Sequence, residues 1–173
     1  MKKWLFMVVA ALLLTACSDK EETKTEDVTS EENIIGFEVM GDEVTKAPDI
    51  PKEEEEKILA AFDEYIESFN SKDIDRYVQT LSKHPQGFDY EEDLEAAKKA
   101  FEQYNIERTP SDVTIVKYDE KEAQVFANLD IQMTELETDV ELTSSGRQVT
   151  VFVKEDDAWK VTSVYYIGNE SQQ

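Results

Sequence analysis

Two periods divide the chain. Between residues 52 and 104 the apolar positions recur at helical spacing, and from about 112 onward they alternate. Ile58, Phe62, Tyr65, Ile66 and Phe69 form one stripe of an amphipathic helix. Pro51 suits its opening turn, and the run Glu53-Glu54-Glu55-Glu56 favours its positive end. Asn70-Ser71-Lys72-Asp73 interrupts the pattern, and Ile74, Tyr77, Val78 and Leu81 predict a second, short helix ended by His84-Pro85-Gln86-Gly87. Asp89, with Glu92 three residues on, has the form of a cap for a third helix that carries Leu94, Ala97 and Phe101 and ends at Tyr104. Thr109-Pro110 closes this helical half.

Strands are expected near 112–118, 122–134, 147–154 and 158–167, while 135–146 either extends the middle hairpin or forms a loop. Ala123, Val125, Ala127, Leu129, Ile131 and Met133 share one parity. So do Val149, Val151 and Val153, and again Trp159, Val161, Tyr165 and Ile167. Reading each set as the core face makes odd positions pair with odd across the last hairpin. Its loop is then expected to hold three residues, Glu155-Asp156-Asp157, with Val153 opposite Trp159, Val151 opposite Val161, Phe152 opposite Lys160, and Asp157 left-handed. Helices followed by a four-stranded antiparallel meander is the α+β class. Phe126, Phe152, Val164 and Tyr166 fall on the parity opposite that core, and such a cluster marks a candidate interface for a homodimer or an envelope partner.

The N-terminus has a different character. Lys2 and Lys3 precede an unbroken apolar run, Trp4 to Leu14. About eleven residues are too few to cross a bilayer core, which needs about twenty, but they suit a secretory signal. Leu14-Thr15-Ala16-Cys17 resembles the lipobox of bacterial lipoproteins. That resemblance implies a signal peptide over 1–16, lipidation of the Cys17 thiol with a diacylglyceryl group, acylation of the palmitate type, and attachment to the extracytoplasmic side of a bacterial membrane. An ordinary cleavable signal followed by a chance cysteine is the alternative. Cys17 is the sole cysteine, so the fold has no internal disulfide.

Charge narrows the partners. The chain holds 40 acidic and 18 basic residues, net −22, and removing Lys2 and Lys3 with the signal takes it to −24. Nucleic acid is excluded as a partner, since phosphate backbones need a basic surface. Broad contact with anionic headgroups is also disfavoured, leaving membrane affinity to the lipid on Cys17. Residues 17–50 read as a lipidated cysteine and acidic tether, with Val28 the only apolar residue between Ser18 and Asn33. Within it, 34–44 (IIGFEVMGDEV) is too apolar for a linker; it packs on the domain in cis or serves as a docking peptide. Residues 51–168 form the domain and 169–173 a tail.

AAFDEYIESFNSKDIDRYVQTLS, an amphipathic helix, a break and a short helix, resembles the opening of nuclear transport factor 2-like domains. DDAWKVTSVYYI is similar to their last hairpin. The likeness spans about 52–168 and implies a cone, a curved sheet wrapped around the first helix with a pocket at the wide end. Tyr65, Phe69, Tyr104, Trp159 and Tyr165 are the candidate lining of that pocket. Enzymes of this superfamily place a carboxylate or histidine base in the pocket. His84, the one histidine, stands before a proline in a connecting loop and reads as solvated. No acid falls on the apolar parity of the 122–134 or 147–154 strands, and Asp130 has the opposite one. No nucleophile elbow, phosphate loop, calcium loop or zinc spacing occurs, so no catalytic residue, metal or cofactor is expected. The reading favoured is a lipid-anchored interaction module; the runner-up is a pocket enzyme of the isomerase or cyclase kind, or a carrier of a small hydrophobic ligand.

Overall fold

A computed structural model describes residues 44–169. The signal, Cys17, the tether, the 34–44 segment apart from Val44, and the last four residues lie outside the described residues. Three helices, α1 (Lys52–Asn70), α2 (Ile74–Thr80) and α3 (Tyr90–Gln103), precede four strands, β1 (Tyr104–Tyr118), β2 (Glu122–Glu135), β3 (Glu141–Glu155) and β4 (Ala158–Gly168). The strands form one antiparallel meander in the order β1-β2-β3-β4.

The helix boundaries follow local chemistry. Pro51 occupies the cap position of α1, and Glu53, Glu54 and Glu55 fill its first turn, where the helix dipole favours anions. Asp73 accepts from the Arg76 amide at 3.1 Å and Asp89 from the Glu92 amide at 3.0 Å, so each short helix begins on an aspartate that meets an otherwise orphaned N–H. Between α1 and α2 the chain turns through Lys72 at φ 57°, and the Lys72 ammonium donates to the Phe101 carbonyl and the Asn105 amide oxygen, tying the turn to the end of α3.

Ile58, Phe62, Tyr65 and Ile66 of α1 bury against Ala123, Val125, Ala127 and Leu129 of β2, Phe152 of β3, and Trp159 and Val161 of β4. Phe62 and Ile58 are fully buried, and Phe62→Ala at such a site costs about 3–5 kcal/mol. The helices therefore cover one face of the sheet, called inner below.

Register corrects several expectations. β1 starts at Tyr104 rather than 112, and β3 starts at Glu141, so the 135–146 stretch extends the middle hairpin. Pro110 is tolerated inside β1 because β1 is an edge strand and needs no outward donor there. The last hairpin turns on two residues, not three: Glu155 pairs with Ala158, Lys154 with Trp159 and Val153 with Lys160. Asp156 and Asp157 are both left-handed, φ 50° and 63°, as a type I′ turn requires. Trp159 still reaches the core, because the inner face of β3 at this end is even-numbered: Phe152 packs there opposite Ala123 and Val161. Val149 and Val151 lie on the outer face, not in the core around α1.

A bulge then resets β4. Val161 pairs with Phe152, but Ser163 pairs with Val151, so Thr162 is the extra residue. Beyond it even positions face inward, Val164 opposite Thr150 and Tyr166 opposite Gln148, while Tyr165 moves to the outer face opposite Val149. The bulge is held by the loop after α2. The Ser82 amide donates to the Val161 carbonyl, and the Gln86 and Gly87 amides both donate to the Thr162 carbonyl at 2.9 and 3.0 Å. Gly87 sits so close that a Cβ there would lie 2.6 Å from the Ser163 side chain.

Candidate functional site

The end of α1, α2, α3 and the inner face of the sheet enclose an aromatic and polar cluster. Phe69 meets Tyr77 edge-on at 5.3 Å and Phe101 at 4.9 Å, and Tyr65 lies 5.8 Å from Tyr77. Arg108 of β1 closes the cluster. Its guanidinium lies 5.2 Å from the Tyr65 ring centroid and 5.0 Å from that of Phe69, and donates to Gln148 Oε1 at 3.1 Å. Gln148 in turn donates to Thr150 Oγ1 at 2.9 Å. Asn70 fixes the Arg108 backbone, donating to its carbonyl and accepting from its amide, each at 2.9 Å. The space between the end of α1 and the inner face of the sheet is thus packed with the protein's own side chains.

One carboxylate enters the cluster. Tyr77 Oη donates to Asp93 Oδ2 at 2.9 Å. Burial pushes the Asp93 carboxyl above its usual range, against the lowering effect of the Tyr77 hydrogen bond and the Arg108 charge. Burial first, then the Tyr65 and Asp93 neighbours, pushes the Tyr77 hydroxyl far up, so it stays a donor. Asp93 and Arg108 were not among the sequence candidates. Asp93 stands four residues before the buried Ala97 on the α3 stripe, and Arg108 shares the inner parity of β1 with Ile106 and Pro110; these spacings were the available signal.

The expected lining residues separate. Tyr65 and Phe69 join the cluster, and Tyr104 sits half-buried at the inner end of β1 opposite Glu135. Trp159 is buried at the other end of the cone: its indole N–H donates to Glu54 Oε2 at 3.1 Å, and Lys154 reaches the same oxygen at 2.9 Å while lying 5.5 Å from the Trp159 ring. The Lys154 hydrogen bond, supported by Lys57 and Trp159, holds the Glu54 carboxyl below its usual range against the opposing effect of desolvation. Tyr165 is outside the cone altogether, 39% exposed on the outer face. Of the expected interface residues, only Phe126 is on the outer face. Phe152 belongs to the core, Val164 packs against it, and Tyr166 takes an inner register position.

Exposed apolar side chains concentrate at one end of the sheet. Leu136, Val140 and Leu142 lie at the β2–β3 tip, and Tyr165, Tyr166 and Ile167 at the end of β4. Several open concavities border the domain, among them one of about 470 Å³ beside the Arg108 cluster, lined by Asn70, Lys72, Asn105, Ile106 and Glu107. One of about 490 Å³ is walled by polar groups including Thr109, Asp130, Gln132 and Thr143. Another, about 430 Å³, runs between α1, α2 and the last turn past Glu64, Arg76 and Trp159. Glu64 and Arg76 form a two-pronged pair there at 2.8 and 2.7 Å. His84 is exposed. Among the described residues no group of three or more His, Cys, Asp or Glu side chains is placed to hold a metal ion.

Solved structures share this architecture. An NTF2-like superfamily protein from Salmonella enterica superposes with a TM-score of 0.60 at 13% identity, covering 68% of this chain and 92% of that one. An NTF2-like family protein from Streptomyces avermitilis, described as a candidate dehydratase, gives 0.60 at 15%, covering 70% and 100%. A conserved protein from Planctomyces limnophilus gives 0.62 at 15%, covering 69% and 100%. These likenesses establish the NTF2-like fold. No curated protein matches the chain in sequence. A family model described as "Anti-sigma-I factor RsgI9, C-terminal domain" matches residues 60–167, from the middle of α1 to the end of β4, and the chain belongs to that family.

Proposed function

We propose that this protein is a lipid-anchored, extracytoplasmic interaction module of the bacterial envelope, without catalysis. The observation that supports the reading is the packed interior: Arg108, stacked on Tyr65 and Phe69 and bonded to Gln148, lies in the region where the fold resemblance implies a pocket. The family is named for a regulator of transcription factors rather than for a reaction, which agrees with a binding role. Fold alone does not supply the function, because NTF2-like domains host several. The exposed end of the sheet, with Tyr166 and Ile167 beside the β2–β3 tip, is the surface offered for contact. Two acyl chains on Cys17 would give stable membrane attachment where one gives only marginal binding.

The test uses the intact lipoprotein in its own cells. A photo-crosslinking residue replaces Ile167 in one strain and Glu95, exposed on α3, in another. A discrete adduct from position 167 alone, in the membrane fraction, and loss of that fraction in Cys17→Ala, support the reading. Equal labelling at both positions overturns the assigned surface, and a membrane-bound mature Cys17→Ala protein overturns the anchor. Asp93 beside Tyr77 is the one observation that favours a pocket enzyme. Saturable binding of a small molecule, lost in Asp93→Asn, would give that reading precedence.

A further inference from the structure

The outer face of the sheet is as well buried at its centre as the inner one. Phe126, Val149 and Val151 are 2%, 0% and 3% exposed, and Gln124 beside them 2%. Phe126 pairs with Val149 and Gln124 with Val151, so these side chains form one continuous patch across β2 and β3. None of the three apolar residues belongs to the core around α1, in which the buried helical residues pack with the inner face. No described element crosses the patch, and valines on an uncovered sheet face would be partly wet. Something covers them.

The chain before Val44 is placed to do so. The Ala47 amide donates to the Ile115 carbonyl at 2.8 Å, which brings the chain in along the free edge of β1. Ile115 pairs with Val125, and the neighbouring outer row runs Thr114, Phe126, Val149, Tyr165. The incoming chain thus meets the sheet beside the patch. Directly upstream, Ile35, Phe37 and Val39 alternate with Gly36 and Glu38, which gives an extended segment one apolar face. Four strands about 4.8 Å apart span about 14 Å, and nine extended residues reach about 30 Å, so the length suffices with room to spare.

We propose that residues 34–42 fold back in cis as an extended strap across the outer face, with Phe37 seated on Phe126, Val149 and Val151. The strap keeps that patch from serving as an interface, which leaves the exposed end of the sheet as the contact surface. Resting on the anchor reading above, it also sets the reach. Free chain from Cys17 to Ala47 could extend about 100 Å, whereas chain from Cys17 to a docked Ile34 spans about 55 Å at most.

The experiment uses the mature chain, residues 17–173, with Cys17→Ser to keep it monomeric and unlipidated, so its outcome is independent of anchoring and of any partner. Aromatic protons of Phe37 are expected to show NOEs to the methyls of Val149 and Val151, and amides 35–39 to exchange about tenfold or more slowly than random coil. Phe37→Asp should release the strap: residues 34–42 take random-coil shifts and binding of an apolar dye rises several-fold, with the shifts of α1 and α3 kept. Random-coil shifts for residues 35–39 in the parent chain overturn the proposal. So do Phe37 NOEs seen only between labelled and unlabelled copies, which would assign the patch to a second molecule.

Discussion

Arg108→Ala tests whether the cone is a packed interior or a pocket with a cation at its mouth. Two losses follow from the geometry. The guanidinium lies 5.2 and 5.0 Å from the Tyr65 and Phe69 ring centroids, and each such contact at a partly exposed site contributes about 0.5–1 kcal/mol. Gln148, 2% exposed, loses the donor to its Oε1, and an unmet buried acceptor costs about 1–3 kcal/mol. Together the variant should lose about 3 kcal/mol in urea unfolding followed by circular dichroism. For a domain of this size that is a fall in Tm of about 12 °C, at about 4 °C per kcal/mol. Arg108→Lys keeps the charge and one donor but not the planar stack, so its loss should be about 1 kcal/mol. A loss under about 1 kcal/mol for Arg108→Ala would identify Arg108 as a solvated surface cation, whose net worth is small. The filled-cone argument would then fail, and with it the main support for a non-catalytic module.

Asp156 separates a two-residue turn from a three-residue loop. With both turn residues left-handed, Asp156→Gly should be neutral or stabilising and Asp156→Ala destabilising by about 1 kcal/mol in thermal unfolding; the opposite order would restore a right-handed Asp156. The Asp93 carboxyl is pushed up by burial, so the native state binds its proton more tightly than the unfolded chain. Its contribution is fully present below the ordinary aspartate value, about 3.9, and is lost as pH rises through the raised native value. Asp93→Asn, which keeps an acceptor for Tyr77, should therefore gain stability relative to the parent between pH 4 and pH 7 and lose that gain in acid; a difference flat with pH, read by denaturant titration at each pH, would contradict the burial argument.

Periodicity and caps alone determined the helices and the α+β class. The α1 stripe, the break at Asn70-Ser71-Lys72-Asp73 and the Asp89 cap are local features, written in contacts between residues three or four apart. The inner face of β2 was legible for the same reason, since Ala123, Val125, Ala127 and Leu129 alternate with one another. β3 was not. Gln148 to Phe152 are all buried, so both faces are shielded and alternation no longer says which face meets α1. The apolar valines of the outer face outcompeted Gln148 and Thr150 of the inner face as a pattern, although the latter belong there through hydrogen bonds to Arg108 and to each other. What decided the matter was backbone geometry at two points: the left-handed pair Asp156-Asp157 and the bulge at Thr162, which is held by amides from the loop after α2. A turn one residue shorter exchanges the faces of β3 relative to β4, and a bulge restores them farther along, so Trp159 was placed correctly and Tyr165 was not. The Arg108 cluster has the same origin. Its members come from α1, α2, α3, β1 and β3, and only the closing of the cone brings them within reach of one another.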